Sequence, residues 1–340
     1  KVFRYERDDE AFWVMVAVEA QDHQVLFYRS DDLRSWTYSS SYGPAGAVGG
    51  VWECPDLFPL AVEEKIGVTK WVLLVSLYPG GVSGGSGTQY VVGDFDGRTF
   101  TPDSMPPIVP RDSEALTDLD WIDVGRDCYA GVTFNGLPDN RRTLIAWMSN
   151  WDYAHHFPTD PWRGAMTLPR RLSLHDTGER LRLRSVSLVG GSRGTDVDPA
   201  ALADGIPLGD LSGAIRLYAE WRLDEDTTVV IEVMSAAGNL RVSVDCAQRV
   251  LRLERNTVEP PFNDLFTGTR VVTIPPDVPL SPLALTAIAD NGSLEVFLQD
   301  GLLVATNLAL TGPRTAFATR TNPSLPFDRL TITPLGETDR

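Results

Sequence analysis

The chain has 340 residues, 43% of them hydrophobic, with a formal charge of -16 and a pI near 4.6, and it is long enough for two cores because single cores rarely grow past about 250 residues. Its acidity makes nucleic acid and anionic membrane poor partners, and a neutral ligand such as a sugar suits that field. No run reaches the ~18 apolar residues of a membrane helix, and Cys54, Cys128 and Cys246 with four His are too few and too scattered for a disulfide framework or a metal site, so neither metal nor cofactor is expected.

In chain order the sequence predicts strands almost throughout. Trp13 to Val18 is apolar and β-prone, and Gln24 to Tyr28 follows a polar turn. Trp71 to Leu77, Gln89 to Val92, Ala130 to Phe134 and Thr143 to Trp147 continue the pattern. Each run is short, rich in branched and aromatic residues, and bounded by Gly, Pro, Asp or Asn. No helical period of useful length is present.

A weak repeat organises this half. Tyr28-Arg29-Ser30-Asp31-Asp32-Leu33-Arg34-Ser35-Trp36-Thr37 is a strand end, an acidic turn and an aromatic opening the next strand. Gly93-Asp94-Phe95-Asp96-Gly97-Arg98-Thr99-Phe100-Thr101 repeats the design, at an interval that holds the four short strands of a propeller blade. Trp52-Glu53 and Trp121-Ile122-Asp123 share a similar offset, each Trp expected to lead a strand. Residues 1–175 are therefore read as a β-propeller. The polar, Gly-rich run Gly190 to Thr195 marks a boundary, giving a linker over 176–195. Alternation in Ile215–Trp221, Val229–Val233, Leu240–Val244 and Leu294–Leu298 then fits an antiparallel β-sandwich over 196–340.

The chemistry rests on Gly49-Gly50-Val51-Trp52-Glu53-Cys54-Pro55-Asp56-Leu57-Phe58. It sets a carboxylate between a bulky Trp and a rigid Cys-Pro corner, and apolar neighbours of that kind oppose ionisation, as a general acid near neutral pH requires. A carboxylate capping the start of a strand would leave the same local pattern.

Trp52-Glu53-Cys54-Pro55-Asp56 resembles the acid/base motif of the glycoside hydrolase family that contains invertases, exo-inulinases and levanases. Lys1-Val2-Phe3-Arg4-Tyr5 looks like the run after that family's Arg-Asp-Pro motif, and Asp123 to Ala130 like its Asp-Tyr-Gly block, with Val124 in place of Tyr. Trp147 to Tyr153 and Pro158 to Met166 are similar to the exo-inulinase and levanase branch, and Asp290 to Phe297 to the signature of its C-terminal sandwich.

The resemblance implies a five-bladed β-propeller, incomplete in this chain, followed by a β-sandwich. It also implies a retaining mechanism, with two carboxylates about 5–5.5 Å apart. Glu53 matches the acid/base. Trp151 matches an aromatic that walls the fructose pocket. Asp123 is expected to bond near Glu53 and tune it, and Asp56 to do similar supporting work. The family's nucleophile sits in an Asn-Asp-Pro triplet that this sequence does not contain. The Asp of its Arg-Asp-Pro motif would fall just before Lys1. Asp160-Pro161-Trp162 matches a different block and is rejected as nucleophile. An N-terminal segment, continuous or as a separate chain, is therefore expected to complete the propeller, and the 340 residues alone are expected to be insoluble or inactive.

The expected activity is release of terminal β-fructosyl units from inulin, levan or sucrose, by a secreted, extracellular enzyme. A fructosyltransferase of the same family and a non-catalytic carbohydrate-binding relative stay open as alternatives. Cys54 is expected to be a small buried filler, His155 and His156 to be solvated loop residues, and Glu295 to be a strand residue of the sandwich.

Overall fold

The structure is a computed structural model that describes residues 1–7, 9–138, 141–189, 195–196, 213–222, 226–235, 237–257, 261–290, 292–309, 314–322 and 328–336. Among them there is no α-helix, only short 3-10 turns such as Glu114–Asp118 and Ala154–His156.

Three four-stranded antiparallel meanders build the first half. Val2–Arg7, Glu10–Glu19, Gln24–Ser30 and Thr37–Tyr42 form the first. Val51–Ala61, Thr69–Tyr78, Gly87–Phe95 and Phe100–Pro102 form the second. Tyr129–Thr133, Arg142–Met148, Arg170–Asp176 and Leu181–Ser187 form the third, with Ala165–Met166 paired to Arg142–Met148. These sheets are propeller blades, and aromatic packing of Phe3, Tyr5, Phe27 and Trp71 around Phe95 ties the first to the second.

The acidic turns of the repeat are one device used twice. Asp32 Oδ1 accepts the amides of Arg34 and Ser35 (both 2.8 Å), and Asp96 Oδ1 those of Arg98 and Thr99 (2.9 and 2.7 Å). Each turn joins the third strand of a blade to its fourth, where an Asx turn reverses the chain without needing strand pairing. Backbone N–H donors, those of Ser35 and Arg34 foremost, pull the Asp32 carboxyl down to about 2.

The Trp52 and Trp121 likeness holds only locally. Each indole donates to the carbonyl five residues back, Ala47 and Leu116, at 2.8 Å. Trp52 lies in a strand, whereas Trp121 makes an isolated bridge to Gln89 and the next strand starts at Tyr129.

The domain limits differ from expectation. Leu181–Ser187 pairs along its whole length with Arg170–Asp176, so residues expected in the linker complete the third blade, with Leu183 and Ser185 buried on one face and Arg182 on the other. The Gly-rich run from Gly190 to Gly194 lies outside the described residues. Beyond it, two antiparallel sheets form the sandwich. One runs in the order 195–196, 329–335, 214–221, 283–290, 293–298, 303–308, the other 268–273, 250–257, 238–245, 228–235, 314–322. Their facing sides are apolar, with Trp221, Val229, Ile231, Val242, Leu251, Leu285 and Val296 buried, as sheet-on-sheet packing requires.

The two units dock through the loop before Tyr129. Val124 N donates to Val304 O (2.8 Å) and Asp127 N to Thr306 O (3.0 Å), so the loop adds to the edge of the 303–308 strand. Gly125 makes this approach possible, since a Cβ there would stand 2.1 Å from Thr306 O.

Candidate active site

Glu53 sits on a β-bulge. In the pairing of Val51–Ala61 with Thr69–Tyr78, Glu53 faces Ser76 and Asp56 faces Leu74, so one extra residue is accommodated between them. Cys54 takes the left-handed backbone (φ 48°) and Pro55, which has no N–H to give a ladder, is tolerated where pairing is interrupted. The bulge lets Trp52 and Asp56 both stay buried while Glu53 and Cys54 turn outward. Cys54 is thus exposed, which corrects the expectation of a buried filler, and partial burial followed by the nearby Glu53 carboxylate push its thiol up, keeping it protonated.

Tyr129, at the head of the third blade, donates its phenol O–H to Glu53 Oε2. Burial, then that hydrogen bond and the charge of Glu53, raise the phenol well above its usual range, so it stays a donor at any physiological pH. The Tyr129 ring meets Trp147 edge-on (centroids 6.3 Å apart), Trp147 lies 4.9 Å from Trp151, and Trp151 lies 5.3 Å from His155. A carboxyl, a buried phenol and two indoles are therefore linked in one chain of contacts that ends on Trp151, 38% exposed. An open indole face of this kind stacks on the C–H side of a sugar ring.

The other expected site residues separate. Asp56 is fully buried. Its Oδ2 accepts the amide and hydroxyl of Thr133 (2.7 and 2.9 Å) and pairs with Lys1 Nζ at 3.3 Å, so it ties the Glu53 strand to the third blade from below. Asp123 does not bond to Glu53 as expected. Its Oδ1 accepts from Gly125 N and Thr306 N (both 2.8 Å), and its Oδ2 from Arg170 (2.9 Å) and the Thr306 hydroxyl (2.6 Å). With both oxygens saturated inside the domain junction, it anchors the sandwich. Sequence reading missed this because Thr306 lies 183 positions away. Glu295 is likewise more than a strand residue, since its carboxylate takes Arg170 at 2.6 Å and Leu168 N at 2.8 Å.

Tyr129 lies within the Asp123 to Ala130 block, where the sequence signal for it is a Tyr opening a β-prone run. For metal binding, Glu63, Glu64 and His175 bring one ligand atom each within 4.8 Å of one another. They lie past the far end of the strand that starts near Glu53, and Arg184 already pairs with Glu63 at 2.7 Å.

The fold is a set of propeller blades followed by a sandwich, and the second blade carries Glu53 on its bulge. The profile of the glycosyl hydrolases family 32 N-terminal domain matches residues 1–185, and the chain belongs to that family. The levanase of Bacillus subtilis (strain 168) is 36% identical over 334 residues, covering 91% of this chain and 46% of the levanase. The extracellular exo-inulinase of Aspergillus awamori is 44% identical over 183 residues, covering 53% of this chain and 33% of its own length. The chain thus spans less than half of these curated relatives. In structure, the exo-inulinase from Aspergillus awamori superposes with a TM-score of 0.82 at 28% identity over 99% of this chain and 67% of that one. A beta-fructofuranosidase from Schwanniomyces occidentalis gives 0.80 at 23% identity over 98% and 69%, a likeness of fold.

Proposed function

We propose that these residues form most of the catalytic unit of a retaining β-fructosidase that releases terminal β-fructosyl units from fructans or sucrose outside the cell. The observation that carries the reading is the Glu53 carboxyl, hydrogen-bonded by Tyr129, whose ring meets Trp147 and through it Trp151, in a chain of family 32. The relatives named levanase, exo-inulinase and invertase support the substrate class, and the extracellular exo-inulinase supports the location.

In this reading Glu53 gives its proton to the glycosidic oxygen as the bond from that oxygen to the anomeric carbon breaks. A second carboxylate attacks the same carbon and forms a fructosyl ester. Glu53, now ionised, takes a proton from water as the water oxygen attacks the ester, which returns both carboxyl groups to their starting states. The family's attacking group sits in an Asn-Asp-Pro triplet, and these 340 residues contain none. Trp151 walls the bound fructosyl ring, and Asp56 holds the Glu53 strand in register.

Glu53→Gln in the full-length chain keeps the side-chain shape and loses the transferable proton. Fructose release from sucrose, inulin and levan is expected to fall by ~10²–10⁴-fold, the usual weight of general acid catalysis, with an unchanged melting temperature. A variant that keeps most of the wild-type rate on all three sugars overturns the assignment.

A further inference from the structure

Trp151 cannot fix its own orientation. Its ring is 38% exposed, it lies in no strand, and its backbone N–H has one partner, the Ser86 hydroxyl at 3.1 Å. The residues on either side of it are held by buried bonds. Asn150 is fully buried; its amide donates to Arg126 O (2.8 Å) and Gly84 O (3.2 Å), and its oxygen accepts Ser86 N (3.2 Å) and Asp152 N (3.0 Å).

Two residues past Trp151, Tyr153 is also fully buried. Its phenol donates to Asp127 Oδ1 and accepts from Arg255 Nη2 at 2.8 Å. Arg255 belongs to the sandwich strand Val250–Thr257. Its remaining donors reach Asp127 Oδ2 (2.9 Å), Phe266 O (2.7 Å) and Leu308 O (2.8 Å), and its guanidinium lies 3.7 Å from the Phe266 ring centroid. Asp127 Oδ2 also takes Leu308 N at 2.8 Å. Below the loop, Phe157 and Tyr153 pack on Phe262 and Phe266 of the sandwich, and Asn263 donates to Asp152 O at 3.2 Å.

We propose that the sandwich takes part in the substrate site: Arg255, acting through Asp127 and Tyr153, is a positioning residue for the loop that presents Trp151. The inference rests on the reading of Trp151 as the wall of the sugar pocket. Its physical basis is that a planar guanidinium engages Asp127, Tyr153 and two carbonyls at once, which an ammonium cannot reproduce. A misplacement of about 1 Å at a binding surface costs up to ~10²-fold.

The test is Tyr153→Phe in the full-length chain, with Arg255→Lys as a second variant. Tyr153→Phe removes one hydroxyl and keeps the ring packed on Phe266, and Asp127 and Arg255 still pair with each other. The expected result is amide hydrogen exchange over 151–157 faster by at least roughly fivefold to tenfold, because the hydroxyl makes two buried hydrogen bonds, to Asp127 and from Arg255, with strand amides unchanged. KM for sucrose or inulin is expected to rise by a similar ~5–10-fold factor while kcat moves less than about twofold. Arg255→Lys is expected to act in the same direction and further. Loop exchange and KM at wild-type values in Tyr153→Phe overturn the inference. So does a drop in melting temperature in which the loop opens no more than the blades. The exchange arm needs no turnover, so it decides the positioning role even where Glu53→Gln proves neutral and the functional reading fails.

Discussion

Glu53 owes its outward position to Cys54, which holds a left-handed backbone that costs a non-glycine residue of order 1 kcal/mol or more. That conformation puts the carboxyl where the Tyr129 phenol meets it. The phenol has no alternative role as a base, because burial and the adjacent carboxylate keep it protonated. Tyr129→Phe removes the phenol donor to Glu53 and leaves the ring against Trp147. Hydrogen bonds to charged groups weigh ~1.5–3 kcal/mol, so kcat/KM on inulin is expected to fall by about tenfold or more. The fold should be intact by circular dichroism. An unchanged kcat/KM shows that the phenol only fills space beside the carboxyl.

At the scale of elements, polar groups add to the apolar packing at the second blade seam and at the domain contact. Val62 bridges Leu174 between the second and third blades, and Lys65 pairs with Asp176 there at 2.6 Å. The third blade is clamped to the sandwich by Arg182, which grips Asp277 with two bonds (2.6 and 2.5 Å) and Asp120 at 3.2 Å. Burial alone would raise the Asp277 carboxyl, but the hydrogen bonds and charges of Arg182 and Arg180 outweigh it and hold the carboxyl below its ordinary value. A depressed carboxylate contributes stability that is complete above the unfolded value, about 4, and is lost as pH falls through the lower folded value. Asp277→Asn is therefore expected to melt below wild type at pH 6, with the gap narrowing as pH drops below about 4. Thermal melts of both proteins across that range check it, and a gap that widens in acid refutes the clamp.

Across the whole molecule, buried arginines join the halves, and Arg170 is held by acids from both. Arg170, in the third blade, donates to Asp123, to Glu295 of the sandwich and to Thr306, all within 2.5–2.9 Å and fully or almost fully buried. Burial opposes its charge, and the two carboxylates more than restore it. Arg170→Met leaves both acids buried without their cation, a loss of ~3–5 kcal/mol in comparable cases. Calorimetry is expected to show a large fall in melting temperature, with the single transition splitting as the sandwich uncouples from the blades. A variant that melts like wild type in one transition shows that the junction is held by apolar packing alone.

Much of this was legible without coordinates. Short apolar, β-prone runs located the strands 10–19 and 69–78, and period-two alternation located 214–221 and 238–245, to within a few residues, because a half-buried strand must place every second side chain inside. The acidic turns at Asp32 and Asp96 declared the blade repeat, because an Asx turn is a local structure written by adjacent residues. Glu53 and Trp151 stood out by motif. The roles of Asp123, Tyr153 and Arg255 were not legible, because each depends on partners a hundred or more positions away. Leu181–Ser187 was placed in a linker for a related reason: its four charged or polar side chains hide a strand whose buried Arg182 is acceptable only beside Asp277 and Asp120. Local periodicity and turn chemistry are sequence properties, so the sequence determined the strands, the turns and the acid-bearing motif. Whether a buried charge serves catalysis or holds two domains together is set by what lies opposite it, and only the tertiary structure decided that.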